Sequence, residues 1–365
     1  MMWMRYAVDR STYAPYTVKT DLDYYSDLRK RYSHYIKILQ KWDADEASIR
    51  IVRKYSDKVC EAIRDYYKGN ISSCHMKIEN LVKGCSDNAI ADSPLYSSKA
   101  FPGSYGSEIQ FFRARTCEEA RIFFPKEMLH LPFSMRGKSG NDRFSIPGVT
   151  SLYLSTSSYG CWIEMGRPSE HDFNVSPVIL DGNQRIFNLA VMTRDGSFLN
   201  DGEVERVHCW LKLIVLMMAT SYRVEEKDRS FKSEYIIPQS IMLACRKLGY
   251  DGVAYYSKQV DDEMFSIAAI NLALFTDYRI GKEYGSICEH IKVDQSMNYE
   301  LFRQLNEAAK YKHYDLRVAN TKWLMNIGNY SRQYTYRDTE FYRFDQHLFA
   351  TWKERDSIDW GNALV

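Results

Sequence analysis

Near residue 85 the hydrophobic rhythm of the chain changes, and that change restricts it to helices first and a mixed sheet afterwards. Leu22, Tyr25, Leu28, Tyr32, Tyr35 and Leu39 recur at steps of three and four, the spacing that gathers side chains on one helix face. Thr20 with Asp23 forms a capping-box-like start. A second helix begins at a cap on Asp45, is lined by Ile49, Val52, Val59 and Ile63, and stops at Gly69-Asn70. A third fits Ser72 to Lys83. From Cys85 to Gly106 the periodicity gives way to Ser, Asp, Pro, Gly and Lys, which marks the domain boundary.

After the boundary the pattern is that of short strands between turn residues: Ile109 to Arg115, Ser151 to Ser155, Val175 to Leu180, Arg185 to Leu189, Gly252 to Ser257 and Ile267 to Phe275. Helical stretches fall near 157–166, 203–222 and 235–248. Beyond Asp277 the chain is polar and aromatic, with helices near 298–311 and 338–353. The expected fold is therefore α+β. A helical N-terminal domain (1–100) precedes a mixed-sheet domain with helices (101–290), and a C-terminal helical extension (291–365) packs on the latter.

Composition removes several function classes. A chain of 365 residues with 45% hydrophobic side chains has enough apolar material for about two domains. Lys and Arg number 49 against 47 Asp and Glu, so no overall charge draws the protein to nucleic acid or an anionic membrane. Charge at Arg5, Asp9 and Arg10 interrupts the start before a signal-peptide core can form. The longest apolar run, Trp210 to Ala219, holds Lys212 and falls far short of the ~20 residues that cross a bilayer. A buried helix is expected there. Of eight cysteines the nearest pair, Cys74 and Cys85, is 85 − 74 = 11 positions apart, so no C-x-x-C exists for zinc or redox work. Reduced thiols in a cytoplasm, and no metal, are the expectation.

The common nucleotide and hydrolase motifs are absent: no G-x-x-x-x-G-K-[ST], G-x-G-x-x-G, G-x-S-x-G or H-E-x-x-H occurs. What stands out is the stretch from Asp142 to Glu164. A Pro147-Gly148 turn delivers a strand ending at Tyr153, and Ser157 can cap the next helix. Glu164 comes two turns into that helix, flanked by Trp162, Ile163 and Met165. A carboxylate among such neighbours is either paired or functional.

These blocks resemble the RES-domain toxins of bacterial toxin–antitoxin and related systems. The family pattern places an Arg before an Asn/Ser-x-Pro-Gly turn, a Tyr ten positions on and a Glu eleven further. Arg143, Tyr153 (153 − 143 = 10) and Glu164 (164 − 153 = 11) meet it. Phe111-Phe112-Arg113-Ala114-Arg115 matches an opening strand with an Arg. Glu234 to Gln239, Gly249 to Ser257 and Asn271 to Phe275 match the closing blocks, with Ser257 in the serine's place. The likeness covers about 108 to 276. A helical segment before a longer RES domain is also familiar, as is a helix near Tyr336 to Phe341. Asn141-Asp-Arg-Phe-Ser145 stands where the small members show Gly-Gly-Arg-Trp-Asn, and the insert at Ile122 to Lys138 is absent from them, so the chain looks like the larger branch. The resemblance implies an ADP-ribosyltransferase-like sheet and cleavage of the nicotinamide–ribose bond of NAD. The ADP-ribose would pass to water or phosphate, or alternatively to a protein. It further implies a neutralising antitoxin or regulatory partner, or an activating signal such as phage infection.

The residue types suit that chemistry. Breaking the bond expels a neutral ring and leaves positive charge on the ribose, so one carboxylate near the sugar stabilises the transition state. Glu164 is the candidate. The pyrophosphate suits guanidinium forks from Arg143 and from Arg113 or Arg115. Tyr153 can stack on nicotinamide or bond a ribose hydroxyl, and Ser257 can do the latter. Each also has a plainer role: a lone Arg is usually a solvated surface group, a strand Tyr usually core, and a lone Glu simply exposed. Arg115, Tyr159, Tyr256 and Asn271 are supporting or structural.

Two rival readings come from other classes. Arg29-Lys-Arg-Tyr-Ser-His34 has the R-x4-H spacing of helical ribonucleases of the HEPN type, although on one helix Arg29 and His34 point about 140° apart. The Tyr/Leu stripe of residues 20 to 84 suits a docking module or a homo-oligomer contact as well as it suits a private core.

Overall fold

The computed structural model describes residues 14–19, 22–85, 109–118, 121–181, 184–190, 204–226, 228–260, 269–308, 336 and 339–357. The fold is α+β, with three helices followed by a mixed sheet that carries further helices. The boundary at 86–106, Thr20, residues 267–268 and the end of the helix at 309–311 lie outside the described residues.

The N-terminal helices are α1 (Tyr24–Lys41), α2 (Glu46–Tyr67) and α3 (Ile71–Lys83). Each starts on a side-chain cap. Asp23 accepts from the Ser26 amide, Asp45 from Ser48 and Asn70 from Ser73, and such a cap contributes about 1 kcal/mol. The strands are β1 (Ile109–Thr116), β2 (Ser151–Ser155), β3 (Phe173–Leu180), β4 (Ile186–Asn188), β5 (Gly252–Tyr256), β6 (Ile270–Phe275), β7 (Ile291–Val293) and β8 (Met297–Asn298). Between and after them come α4 (Ser158–Glu164), α5 (Val204–Thr220), α6 (Ile236–Lys247), α7 (Tyr299–Ala308) and α8 (Glu340–Ser357).

The strands form one sheet in the order β4-β5-β6-β2-β1-β3-β7, with β8 also on β3. All pairs are antiparallel except β4 with β5. The weak point is central: β2 and β6 pair along five residues, β1 and β3 along eight, but β1 meets β2 only at Phe112 and Ser155. The sheet opens beside that pair.

Packing follows the two-residue alternation of strands. Val253, Tyr255, Ala273 and Phe275 face a first core built around α5, while Ala254, Tyr256, Leu272 and Leu274 face another on the opposite side. Helix α5 is enclosed almost entirely, every residue from Leu213 to Ala219 being buried, which agrees with its reading as a buried helix. Helices α1, α2, α3 and α6 surround it within a single core. The tyrosine stripe of α1 lies inside that core. Tyr24 Oη donates to the Ala219 carbonyl at 2.7 Å and Tyr32 Oη to Val215 at 2.8 Å. The stripe read as a docking or dimer face is therefore covered by the chain's own α5, and the N-terminal helices share their core with α5 and α6. At the other end of the sheet a further core joins α4, α7 and α8 to β1 and β3 through Phe112, Tyr159, Phe173, Tyr299, Phe341 and Phe344.

Candidate functional site

The stretch singled out in the sequence forms a strand, a turn and a helix with Glu164 at its end. Gly148, at φ +82°, completes the Pro147-Gly148 turn in a conformation that side chains other than glycine rarely adopt. Strand β2 follows, and the Ser157 hydroxyl accepts from the Gly160 amide at 2.9 Å to cap α4. Helix α4 presses so closely on the sheet that a Cβ on Gly160 would lie 2.0 Å from Ser155 Oγ and 3.2 Å from Ala269 Cα. This proximity brings the last residue of α4 over the ends of β5 and β6.

There, Ser257 Oγ donates to Glu164 Oε1 at 2.5 Å and Asn271 Nδ2 donates to the same oxygen at 2.7 Å. Ser257 also accepts from the Gln259 amide at 3.1 Å and is buried. Glu164 itself is exposed. It is thus a solvent-accessible carboxylate with one oxygen fixed by two donors.

The carboxylate borders a cleft of about 480 Å³ between the first core and the core of α4 and α8, within the size range of small-molecule sites. Arg113, Arg143, Lys232 and Lys258 line it against Asp142 and Glu164, so its lining is cationic. Tyr153, Tyr235 and Tyr255 supply aromatic walls. A neighbouring hollow of about 400 Å³ holds Arg113, Arg115 and Lys138. Arg113 lines both, next to the point where β1 and β2 part.

The predicted residues occupy these places unequally. Arg143 donates to the carbonyls of Thr220 and Tyr222 at 2.8 and 2.7 Å and sits 5.2 Å from the Tyr235 ring. Two of its five donors therefore close the C-terminal end of α5, where the helix dipole favours a cation. Arg113 donates to the Tyr153 carbonyl at 3.0 Å. The Nε atoms of Arg113 and Arg115 are buried and have no hydrogen-bond partner among the described residues. Burial, and then repulsion from Arg115, lowers Arg113 to about 10, so it stays charged at neutral pH, and it has no salt-bridge partner among the described residues.

Three expectations change. Ser257, expected at a ribose hydroxyl, is turned onto Glu164, because the strand end that carries it lies under the end of α4. The Tyr153 hydroxyl donates to Ser145 Oγ at 3.1 Å and accepts from the Phe144 amide at 3.3 Å, so only its ring is presented to the cleft. Burial raises this phenol far above the usual tyrosine range and keeps it neutral. Arg115 belongs to the adjoining hollow and not to the cleft of Glu164. Of the supporting residues, Asn271 proves to be a partner of Glu164, while Tyr159 and Tyr256 are buried in the cores.

Several residues went unrecognised in the sequence. Gln239 Nε2 donates to Asn141 Oδ1 at 2.6 Å and to the carbonyls of Asp142 and Ser145 at 3.0 Å each, holding the turn that carries Arg143. Arg223 donates to the carbonyls of Lys258 and Val260 at 2.6 and 2.9 Å and so fixes the segment after Ser257. Lys232 and Lys258 lie outside the matched blocks, Tyr235 lies inside one that assigns it no role, and only the fold gathers the three at the cleft. Arg29 and His34, which helix geometry points apart, both line a hollow along α1 with Lys30 and Lys37. Among the described residues no three His, Cys, Asp or Glu side chains are grouped to hold a metal ion, and no helix is long and apolar enough to cross a membrane.

No protein-family model matches the chain, and no solved structure matches it. It is similar to a protein of Bacillus subtilis (strain 168) described as "Putative toxin YopC", with 26% identity over 285 residues, 71% of this chain and 60% of the relative. The chain thus spans about 60% of the length of the curated relative it matches.

Proposed function

We propose that this chain is a toxin of the RES type that depletes NAD by cleaving its nicotinamide–ribose bond, with Glu164 as the catalytic carboxylate. The observation that carries the reading is the fixation of one Glu164 oxygen by Ser257 and Asn271 at the edge of a cationic, tyrosine-walled cleft. The Arg143/Tyr153/Glu164 spacing and the similarity to a protein described as a toxin support it from the sequence side.

In this reading the pyrophosphate lies on Arg113, whose cation lacks an anionic partner among the described residues, with Arg115 behind it in the adjoining hollow. The nicotinamide ribose reaches Glu164. As the C1–N bond breaks, its electron pair stays on nicotinamide, which leaves neutral, and positive charge grows on the ribose. The carboxylate faces that charge without reorganising, since its second oxygen remains open to the sugar. The acceptor oxygen then bonds C1 and loses its proton. An antitoxin or regulatory protein that blocks the cleft belongs to the same reading.

Incubating purified protein with NAD and a chelator tests it, with products resolved by chromatography. Nicotinamide release with free ADP-ribose identifies water as acceptor, ADP-ribose phosphate identifies phosphate, and label retained on protein identifies transfer. If NAD stays intact under all conditions while RNA is cut, the reading is wrong and the Arg29/His34 hollow becomes the site to examine.

A further inference from the structure

Helix α4 is held at its far end by a group that the chemistry above does not use. Asp345, in the second turn of α8, is buried, and each of its oxygens has a partner. Oδ1 accepts from the Ser158 amide at 3.1 Å, in the first turn of α4, and Oδ2 accepts from Tyr336 Oη at 2.5 Å. Around this pair the contact is apolar: the Phe341 ring lies 5.4 Å from Tyr159 and 5.5 Å from Trp162, both on α4. Ser158 Oγ reaches the Phe341 carbonyl at 3.5 Å.

A buried carboxylate is a costly way to attach one helix to another, since apolar packing alone would do so more cheaply. Burial raises Asp345 to about 7, with the bonds from Ser158 and Tyr336 opposing the shift. What such a group supplies, and apolar packing does not, is direction. Its oxygen accepts from a helix amide along a defined axis, at the end where the helix dipole is positive. Helix α4 is a short lever, with Ser158 and Glu164 separated by six residues, or ~9 Å at 1.5 Å per residue. Gly160 admits no side chain against Ser155, so the lever is fixed sideways, and Asp345 fixes its end.

We propose that Asp345 is a positioning residue for Glu164, through which the C-terminal helix α8 sets the pose of α4 in the catalytic cleft. The proposal rests on the assignment of Glu164 above, but it has a readout of its own. Asp345→Ala leaves the Ser158 amide without its acceptor, whereas Asp345→Asn retains an acceptor of the same size. Hydrogen exchange of the 157–166 segment should rise at least tenfold in Asp345→Ala, stay near wild type in Asp345→Asn, and leave α1–α3 unchanged. With NAD as substrate, kcat should fall about tenfold or more in Asp345→Ala with KM within twofold, and Asp345→Asn should recover most of it. If Asp345→Ala does not fold, Tyr336→Phe, which removes one bond to the carboxylate, should give the same two changes at smaller amplitude. Unchanged exchange of 157–166, or loosened exchange with unchanged kcat, overturns the proposal. A wild-type protein that leaves NAD intact removes the assignment of the site, and the exchange comparison then decides by itself whether Asp345 holds α4.

Discussion

Ser257 Oγ and Glu164 Oε1 stand 2.5 Å apart, a separation typical of a hydroxyl donating to an ionised carboxylate. Asn271 takes the same oxygen, so in the proposed reaction the other is left for substrate. Glu164→Gln should therefore lower kcat by ~10²–10³ while NAD affinity changes less than threefold, because the lost charge acts on the transition state. Single-turnover kinetics with a binding titration checks this. A variant that keeps wild-type kcat would transfer the catalytic role to another carboxylate.

Ser257 and Asn271 hold one atom and should behave as one device. Ser257→Ala and Asn271→Ala should each cost roughly tenfold in kcat, as expected for losing a hydrogen bond to a charged group. The double variant should fall short of the product of the two effects, since side chains sharing a partner are not additive. Strict additivity in that cycle would mean that the two act separately.

Arg113 lies beside Arg115 with an unpartnered buried Nε. Removing its charge should weaken ADP-ribose binding at least tenfold in Arg113→Gln, with a smaller loss in Arg115→Gln, whose hollow adjoins the cleft. Calorimetric titration distinguishes the cases. Equal affinities in all three proteins would rule out an anion subsite between the strands.

His130 gives the fold a pH dependence. Its Nδ1 donates to the Leu131 carbonyl at 2.8 Å and Nε2 accepts from the Gly285 amide at 3.0 Å, which requires the neutral ring. Burial lowers its pKa, Arg113 lowers it further, and the Leu131 carbonyl and Asp277 oppose them. The unfolded chain titrates near ~6.5 and binds the proton that the native state refuses, so stability falls as pH drops below that value. His130→Gln, which retains an acceptor toward Gly285, should lose less Tm than wild type between pH 7.5 and 5. Parallel losses would assign the acid sensitivity elsewhere.

Gly160→Ala tests the closeness of α4 to the sheet. The added methyl would meet Ser155 Oγ at 2.0 Å and Ala269 Cα at 3.2 Å, and the backbone contact has no rotamer to yield. Overpacking of this kind typically costs about 1–3 kcal/mol. Chemical denaturation should show it, accompanied by weakened Glu164-dependent turnover.

How much could be read beforehand follows from what each signal measures. Periodicity records burial, so α1 to α3, β2 over Ser151–Ser155 and the buried α5 are legible in the sequence. Spacing records position along a chain, so Glu164, Arg143 and Tyr153 were legible as cleft residues. Neither signal carries the direction of a side chain. The turn of Ser257 onto Glu164, the Tyr153 hydroxyl directed at Ser145, and the 345 − 158 = 187 residues between Asp345 and Ser158 are properties of the packed fold. The short β7 and β8, of three and two residues, are too brief to show any alternation.

The bond from Tyr24 to the Ala219 carbonyl joins residues 195 positions apart, and so does the bond from Tyr222 to Asp27. During synthesis the first helices leave the ribosome long before the helix they enclose has been made, and their tyrosines must wait for it. Arg143 waits as well, since the carbonyls that orient it close that same helix. A nascent chain therefore carries neither a sealed interior nor an aimed guanidinium until translation has passed residue 222. Glu164 waits longer still, because Asn271 and α8 follow residue 222 in the chain, so the cleft is completed only after the interior beneath it.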